Sequence, residues 1–323
     1  MKELLEHYEN DIKNFIIRNV SNISNIDKIR VNMSAVFSCD YNDMECILKY
    51  TVVEVKENQD FSVYSMIHAN KVLSWSEYSA FPTIYYSEFY EYQNYTFFIT
   101  VEEKFPRSFS EGIIELYEDC DKDIIKCTSI FLYSLLDIYT SGRDYGFISH
   151  RDLSFDNLMF DEKNNLKMID LGSAKSIESE TTAFHIPAPT KIFYSAPEYE
   201  ELHKKNIKEE SELIRAELYT IGLLTLSLIN ALKEELFTRE GFVVKCGIID
   251  WLNQNGKNFQ TGEQLKEAFK QDYTNYLLLS NKIFNGNEQN MLYRLIKGMT
   301  DKSVSSRISD YSLIMRNLEK EIG

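Results

Sequence analysis

The chain has 323 residues, a length that suits one two-lobed unit or two modest domains. At 44% hydrophobic and 26% charged it can bury a real core, which excludes a disordered chain. Fifty Asp and Glu against thirty-five Lys and Arg give a net charge of −15, and this argues against a nucleic-acid backbone or an anionic membrane as the main partner, since both reward cations.

Glycine is scarce, at 12 residues, so the chain is not built around several Gly-rich phosphate loops. The five cysteines, Cys39, Cys46, Cys120, Cys127 and Cys246, form no C-x-x-C pair and no ligand spacing with a histidine. Such a scattered, odd set reads as reduced thiols of a cytoplasmic protein. The acidic start, Met1-Lys2-Glu3-Leu4-Leu5-Glu6, is no secretory signal. The longest apolar run, Ile221 to Ile229, falls well short of the ~20 residues that a membrane span needs.

Along the chain, residues 4–19 place Leu4, Leu5, Tyr8, Ile12, Phe15 and Ile16 on one face and predict an amphipathic helix. Short β-rich runs follow from Ile29 to Val55, notably Ala35-Val36-Phe37 and Cys46-Ile47-Leu48. A helix is predicted over 61–78, then two aromatic-rich strands around 83–92 and 95–101 with a turn at Asn94. The aromatic residues of that region have almost no Lys or Arg beside them, so they read as cross-strand packing and not as base-stacking platforms. After Pro106 the pattern turns helical. Ser108-x-x-Glu111 is a capping-box signature, and 122–140 is a strongly apolar helix. Short strands and turns occupy 147–170, a Ser/Thr/Glu-rich loop 173–190, and a buried helix about 212–231. Further helices run to the end, one with a second capping-box signature at Thr261-x-x-Gln264. The order is β-rich first and α-rich afterwards, with the switch near residues 102–106.

One stretch stands above the rest: His150-Arg151-Asp152-Leu153-Ser154-Phe155-Asp156-Asn157. Eighteen positions after Asp152 comes Asp170, within Met168-Ile169-Asp170-Leu171-Gly172, and later Ala196-Pro197-Glu198. With these three motifs in this order, the sequence resembles the eukaryotic-type protein kinase superfamily: the loop H-R-D-x-x-x-x-N, a D-L-G variant of D-F-G, and A-P-E. The resemblance implies an α+β, two-lobed fold with a small β-rich N-lobe and a larger α-helical C-lobe. On it, residues 1–27 are an N-terminal amphipathic helical extension, 28–101 the N-lobe, 102–104 the hinge and 105–323 the C-lobe.

The implied chemistry is phosphoryl transfer from ATP with Mg²⁺, or Mn²⁺ as the alternative ion. Such transfer needs charge neutralised and a nucleophile aimed, with little covalent help. Asp152 would orient the attacking hydroxyl. Asn157 and Asp170 would offer oxygens to the metal. Lys49, at the end of Cys46-Ile47-Leu48-Lys49, stands where the family's V-A-I-K lysine pairs the α/β-phosphates. Val36 would cover the adenine, Ile47 would form its ceiling and Met159 its floor. Glu102 and Lys104 belong to the implied hinge, with Val101 as gatekeeper. Glu217-x-x-x-x-Gly222 matches the family's D-x-x-x-x-G helix with Glu for Asp, and Arg307 the arginine that pairs with the A-P-E glutamate, Glu198.

The departures lie mostly in the N-lobe. The family's three loop glycines fall on Ile29, Val31 and Ser34. For the glutamate that should pair with Lys49 the candidate is Glu77, near the end of the predicted helix; Glu57 and Asp60 come before it and His68 occupies its middle. Ser154 stands where Ser/Thr kinases carry a lysine that steadies the γ-phosphate, yet no Arg follows Asp152 in this loop as in tyrosine kinases. Arg151 would be met by the loop's hydroxyls and acids: Ser173, Ser176, Glu178, Ser179, Glu180, Thr181, Thr182 and Thr190. The sequence reads as a protein kinase acting on a protein hydroxyl, Ser/Thr before Tyr, with itself among the substrates. No nucleic-acid or membrane partner is expected, and the oligomeric state is not readable. Two alternatives stay open: a pseudokinase scaffold and a small-molecule phosphotransferase.

Overall fold

The computed structural model describes residues 1–32, 34–56, 59–176, 196, 198, 210–233, 237–238, 241–242 and 290–322. The second capping-box signature at Thr261, Cys246 and most of the loop after Ser176 lie outside these residues. The chain divides into two compact units, Met1–Phe105 and Pro106–Gly323.

The first unit is a five-stranded antiparallel sheet, β1 (Ile23–Val31), β2 (Ala35–Tyr41), β3 (Met44–Val55), β4 (Ile84–Tyr92) and β5 (Tyr95–Glu103), in the order β1-β2-β3-β5-β4. Its first strand begins at Ile23, within the stretch expected as a helical extension. The β2–β3 hairpin closes on Asn42 and Asp43, both with positive φ, at 50° and 63°. That is the signature of a tight two-residue turn whose twist matches the strands, and Asn and Asp tolerate it.

The amphipathic N-terminal stretch forms two helices, α1 (Lys2–His7) and α2 (Glu9–Asn19), where the spacing predicts one. The break at Tyr8 turns its ring into the sheet, 5.6 Å from Tyr92 and 5.9 Å from Phe97. Its hydroxyl donates to Gln93 Oε1 at 2.7 Å. Leu5, Tyr8, Ile12 and Ile16 share one core with Phe37, Leu48, Tyr50, Phe97, Ile99 and Val101. Strand residues alternate between faces, so these helices cover one face of the sheet. The other face carries Val36, Ile47, Lys49 and Thr100. There α3 (Gln59–Trp75) packs Met66, Ala69 and Leu73 against Val53, Phe89 and Phe98.

The second unit opens with β6 (Arg107–Ser108) and α4 (Phe109–Asp119). Its capping box is present: Glu111 N donates to Ser108 Oγ, and Ser108 N to the Glu111 carboxylate at 2.8 Å. Two mostly buried helices form the centre, α5 (Ile124–Gly142) and α6 (Glu210–Lys233). Between them in sequence lie β7 (Phe147–Ser149), β8 (Leu158–Phe160), β9 (Leu166–Met168) and β10 (Lys175–Ser176), short pieces that carry the motif residues on their connecting turns. A small pair, β11 (Phe237–Thr238) and β12 (Gly241–Phe242), follows, then α7 (Met291–Met299) and α8 (Tyr311–Ile322). Gly222 in α6 allows a close approach: a Cβ there would sit 2.6 Å from the Thr300 methyl at the end of α7.

The β8–β9 turn is held by Asp161. Its carboxylate accepts from Lys163 N, Asn165 N and Asn165 Nδ2 at 2.8–2.9 Å, and Lys167 Nζ lies 3.1 Å away. Burial alone would raise its pKa, but these donors outweigh that and hold it at about 2. The folded value lies below the unfolded one of about 3.9, so the stabilisation is complete above pH ~4 and is lost as pH falls toward 2. Thermal melts of Asp161→Asn should therefore lie below wild type at pH 6. The gap should close on acidification through that window; a gap independent of pH would contradict the assignment.

Candidate active site

The segment after β7 carries His150, Arg151 and Asp152. His150 is fully buried, and its Nε2 lies 2.9 Å from the Ile169 carbonyl. The imidazole thus ties this segment to the residue preceding Asp170. Arg151 adopts a left-handed backbone, φ 61°, and its Nε donates to the Ser173 carbonyl at 2.6 Å. Arg151 therefore meets the start of the long loop through a backbone oxygen. The acids and most hydroxyls expected to meet it, Glu178 to Thr190, lie outside the described residues.

Asn157 is buried at 1% exposure. Its Nδ2 donates to the Asp152 carbonyl at 2.7 Å, and its own carbonyl accepts from Ile169 N at 2.9 Å. One residue therefore links both motifs, through its side chain on one side and its backbone on the other. With its nitrogen used on Asp152, the oxygen of Asn157 is the atom left for a metal. Asp170 is itself left-handed, φ 59° and ψ 57°, a conformation that Asp tolerates better than most residues. An amide oxygen and a carboxylate are hard donors of the kind Mg²⁺ takes, with phosphate and water completing the shell. Among the described residues no group of three or more His, Cys, Asp and Glu forms a metal cage of its own. A site shared with substrate phosphate fits this donor set.

The loop is anchored by Glu217, 1% exposed in the middle of α6. Its carboxylate accepts from the backbone N–H of His150 at 3.0 Å and of Arg151 at 3.4 Å. It also accepts from Ser149 Oγ at 2.7 Å and from the Tyr139 hydroxyl. A glutamate fills the role expected of the shorter acid because two hydroxyls, both on fully buried residues, fix its extra length. Ser149 and Tyr139 escaped the sequence reading. They lie 68 and 78 residues from Glu217, and no local pattern marks them.

Glu198 and Arg307 form a bidentate pair, in which Arg307 Nη2 donates to Glu198 Oε2 at 3.1 Å. Arg307 is 3% exposed, donates from Nε to the Asp301 carbonyl at 2.6 Å, and sits 4.5 Å above the Tyr219 ring. Ser154, where a lysine was expected on the resemblance to Ser/Thr kinases, is buried, and its hydroxyl has no hydrogen-bond partner among the described residues. Met159 lies in β8, opposite Ser108 and Lys167.

In the first unit, Lys49 lies directly opposite Val36 on β2 and Thr100 on β5. Ile47 is opposite Ser38 and Glu102. Val101 is fully buried on the opposite face. The stretch expected as a hinge is largely sheet: β5 runs through Glu103, which bonds from N to the Thr83 carbonyl at 2.8 Å. Glu102 accepts from the Thr100 hydroxyl at 2.5 Å, and Lys104 pairs with Glu45 at 2.7 Å. Glu77 is not on the helix. The helix α3 ends at Trp75, and Glu77 is exposed in the turn beyond it. The sequence of α3 contains no glutamate, and its acidic residue is Asp60. The four described cysteines are buried and free, and burial pushes the Cys39 thiol up to about 12.

A β-sheet unit followed by a helical unit, with an acid-and-amide loop anchored on a central helix, is an α+β fold of the kind the sequence motifs imply. The family model described as protein kinase domain matches residues 92–319, and the chain belongs to that family. It is also 25% identical over 125 residues to Cysteine-rich receptor-like protein kinase 1 of Arabidopsis thaliana. That stretch is 39% of this chain and 19% of the plant protein, so the match spans about a fifth of that relative. No helix among the described residues is long and apolar enough to cross a membrane.

Proposed function

We propose that the chain is an ATP-dependent protein kinase that transfers the γ-phosphate to a protein hydroxyl, on Ser or Thr before Tyr, with its own loop among the acceptors. The observation that carries this reading is Asn157: its side-chain Nδ2 donates to the Asp152 carbonyl at 2.7 Å, and its backbone carbonyl accepts from the N–H of Ile169, the residue before Asp170, at 2.9 Å. A scaffold has no need to lock these groups together.

In this reading Asp152 accepts a hydrogen bond from the acceptor hydroxyl and aims its oxygen at phosphorus. Asn157 and Asp170 would hold Mg²⁺, which when bound would neutralise charge on the nucleotide phosphates. Lys49 binds the α/β-phosphates, and Val36, Ile47 and Met159 are the residues assigned to the adenine. Glu217 holds the His150–Arg151 backbone and so fixes where Asp152 stands. Ser/Thr preference is supported by the absence of an arginine after Asp152 in the loop.

The test is transfer from γ-labelled ATP with Mg²⁺ to the chain itself, to a generic protein and to small alcohols and aminoglycosides, followed by phosphoamino-acid analysis. Phosphoserine or phosphothreonine is expected. Label on the small acceptors alone would replace this reading with a small-molecule phosphotransferase. Absence of transfer together with absence of a nucleotide-induced thermal shift would replace it with a scaffold.

A further inference from the structure

Two departures from the kinase pattern remove groups that hold phosphate. The hairpin between β1 and β2 has Ile29, Val31 and Ser34 in place of glycines, so its backbone cannot approach an anion freely. The catalytic loop has Ser154 in place of a lysine. The register of the hairpin decides which of its side chains share a face with Lys49.

Lys28 lies opposite Phe37, on the face covered by α2, and its Nζ pairs with Glu9 of α2 at 2.7 Å. The pairing then slips between Lys28 and Arg30. Ile29 is the extra residue and is 54% exposed. Beyond the bulge Arg30 is opposite Val36, and Val31, buried, is opposite Ala35. Val36 is in turn opposite Lys49. Directly opposed residues share a face, so Arg30, Val36 and Lys49 form one cross-strand row. Without the bulge, strict alternation would send Arg30 to the face of Lys28 and present Ile29 here. Bulges re-aim side chains in this way.

We propose that Arg30 is a phosphate-binding residue, which together with Lys49 takes the polyphosphate of the nucleotide in place of the glycine backbone. Strands two apart place the Arg30 and Lys49 backbones about 10 Å from each other, and both side chains are long. Their cationic ends can therefore converge on one triphosphate. A guanidinium offers a planar fork of donors that suits phosphate oxygens. A fixed cation also matters more in a chain of net charge −15, whose overall field repels nucleotide.

This proposal rests on the protein-kinase reading, and calorimetric titration separates the two. ATP, ADP and adenosine are titrated into the full chain, wild type, Arg30→Gln and Arg30→Lys. Arg30 is exposed, so equal melting temperatures are expected. Arg30→Gln should weaken ATP and ADP about tenfold, the size of one charged hydrogen bond, and leave adenosine unchanged. Arg30→Lys should recover part of the loss. Equal ATP affinity in wild type and Arg30→Gln would overturn the role of Arg30 and leave the kinase reading standing. An equal loss for adenosine and ATP would overturn it too, since the effect would then be on the hairpin and not on phosphate. A wild type without affinity for ATP would overturn both.

Discussion

Replacing Asp152 by Asn should lower the rate of phosphoryl transfer by 10²–10⁴-fold, the usual contribution of a positioned acid or base. ATP affinity should stay within about twofold, and the melting temperature should not move. The reason is local. Asp152 is only half-buried, and the contact that holds its segment to Asn157 uses the Asp152 backbone carbonyl, which the substitution keeps. A binding measurement beside single-turnover transfer separates the two effects. A variant that transfers at the wild-type rate would remove Asp152 from the reaction.

The largest loss of stability is expected for Glu217→Ala. The wild-type carboxylate accepts from the Tyr139 and Ser149 hydroxyls and from the N–H groups of His150 and Arg151. Truncation leaves these donors without it, and Tyr139, Ser149 and His150 are fully buried. Each buried donor left unmet costs about 1–3 kcal/mol, so a total of about 4 kcal/mol is a conservative expectation. That is a large share of an ordinary domain's margin of 5–15 kcal/mol. At roughly 2–4 °C per kcal/mol the melting temperature should fall by about 10 °C. Tyr139→Phe and Ser149→Ala each remove one donor cleanly and should cost about 1–2 kcal/mol apiece. A double-mutant cycle of either with Glu217→Ala should show strong non-additivity. If Glu217→Ala melted like wild type, the loop would be held by something else.

What the sequence made legible is chemistry carried by short, rigid spacings. Asp152 and Asn157 lie on one turn, and Asp170 follows a hairpin that returns the chain to Asn157. The two-layer order of β-rich and α-rich halves was also readable, because period-two and helical patterns differ over long windows. Contacts between distant segments were not. Nothing near Tyr139 or Ser149 announces a carboxylate partner nearly seventy residues or more away. Arg30 was hidden for a different reason: its face depends on a bulge at Ile29, and a one-residue slip reverses every side chain beyond it. The single N-terminal helix failed at Tyr8, where a ring that fits the helical spacing finds a better place in the sheet. Glu77 failed by position, since α3 stops at Trp75. Residues 102 and 103 continue as strand because β3 and β4 both keep pairing with β5 through Glu102.

In the proposed kinase, Asp152, Asn157 and Asp170 work with a β1–β2 hairpin that has no glycines. Titration of ATP into the wild-type chain, with and without Mg²⁺ and repeated on Asp170→Asn, tests it most directly. One nucleotide per chain is expected, bound more tightly with Mg²⁺ than without, with loss of that Mg²⁺ dependence in Asp170→Asn. Absence of ATP binding, or binding indifferent to both Mg²⁺ and Asp170, would contradict it.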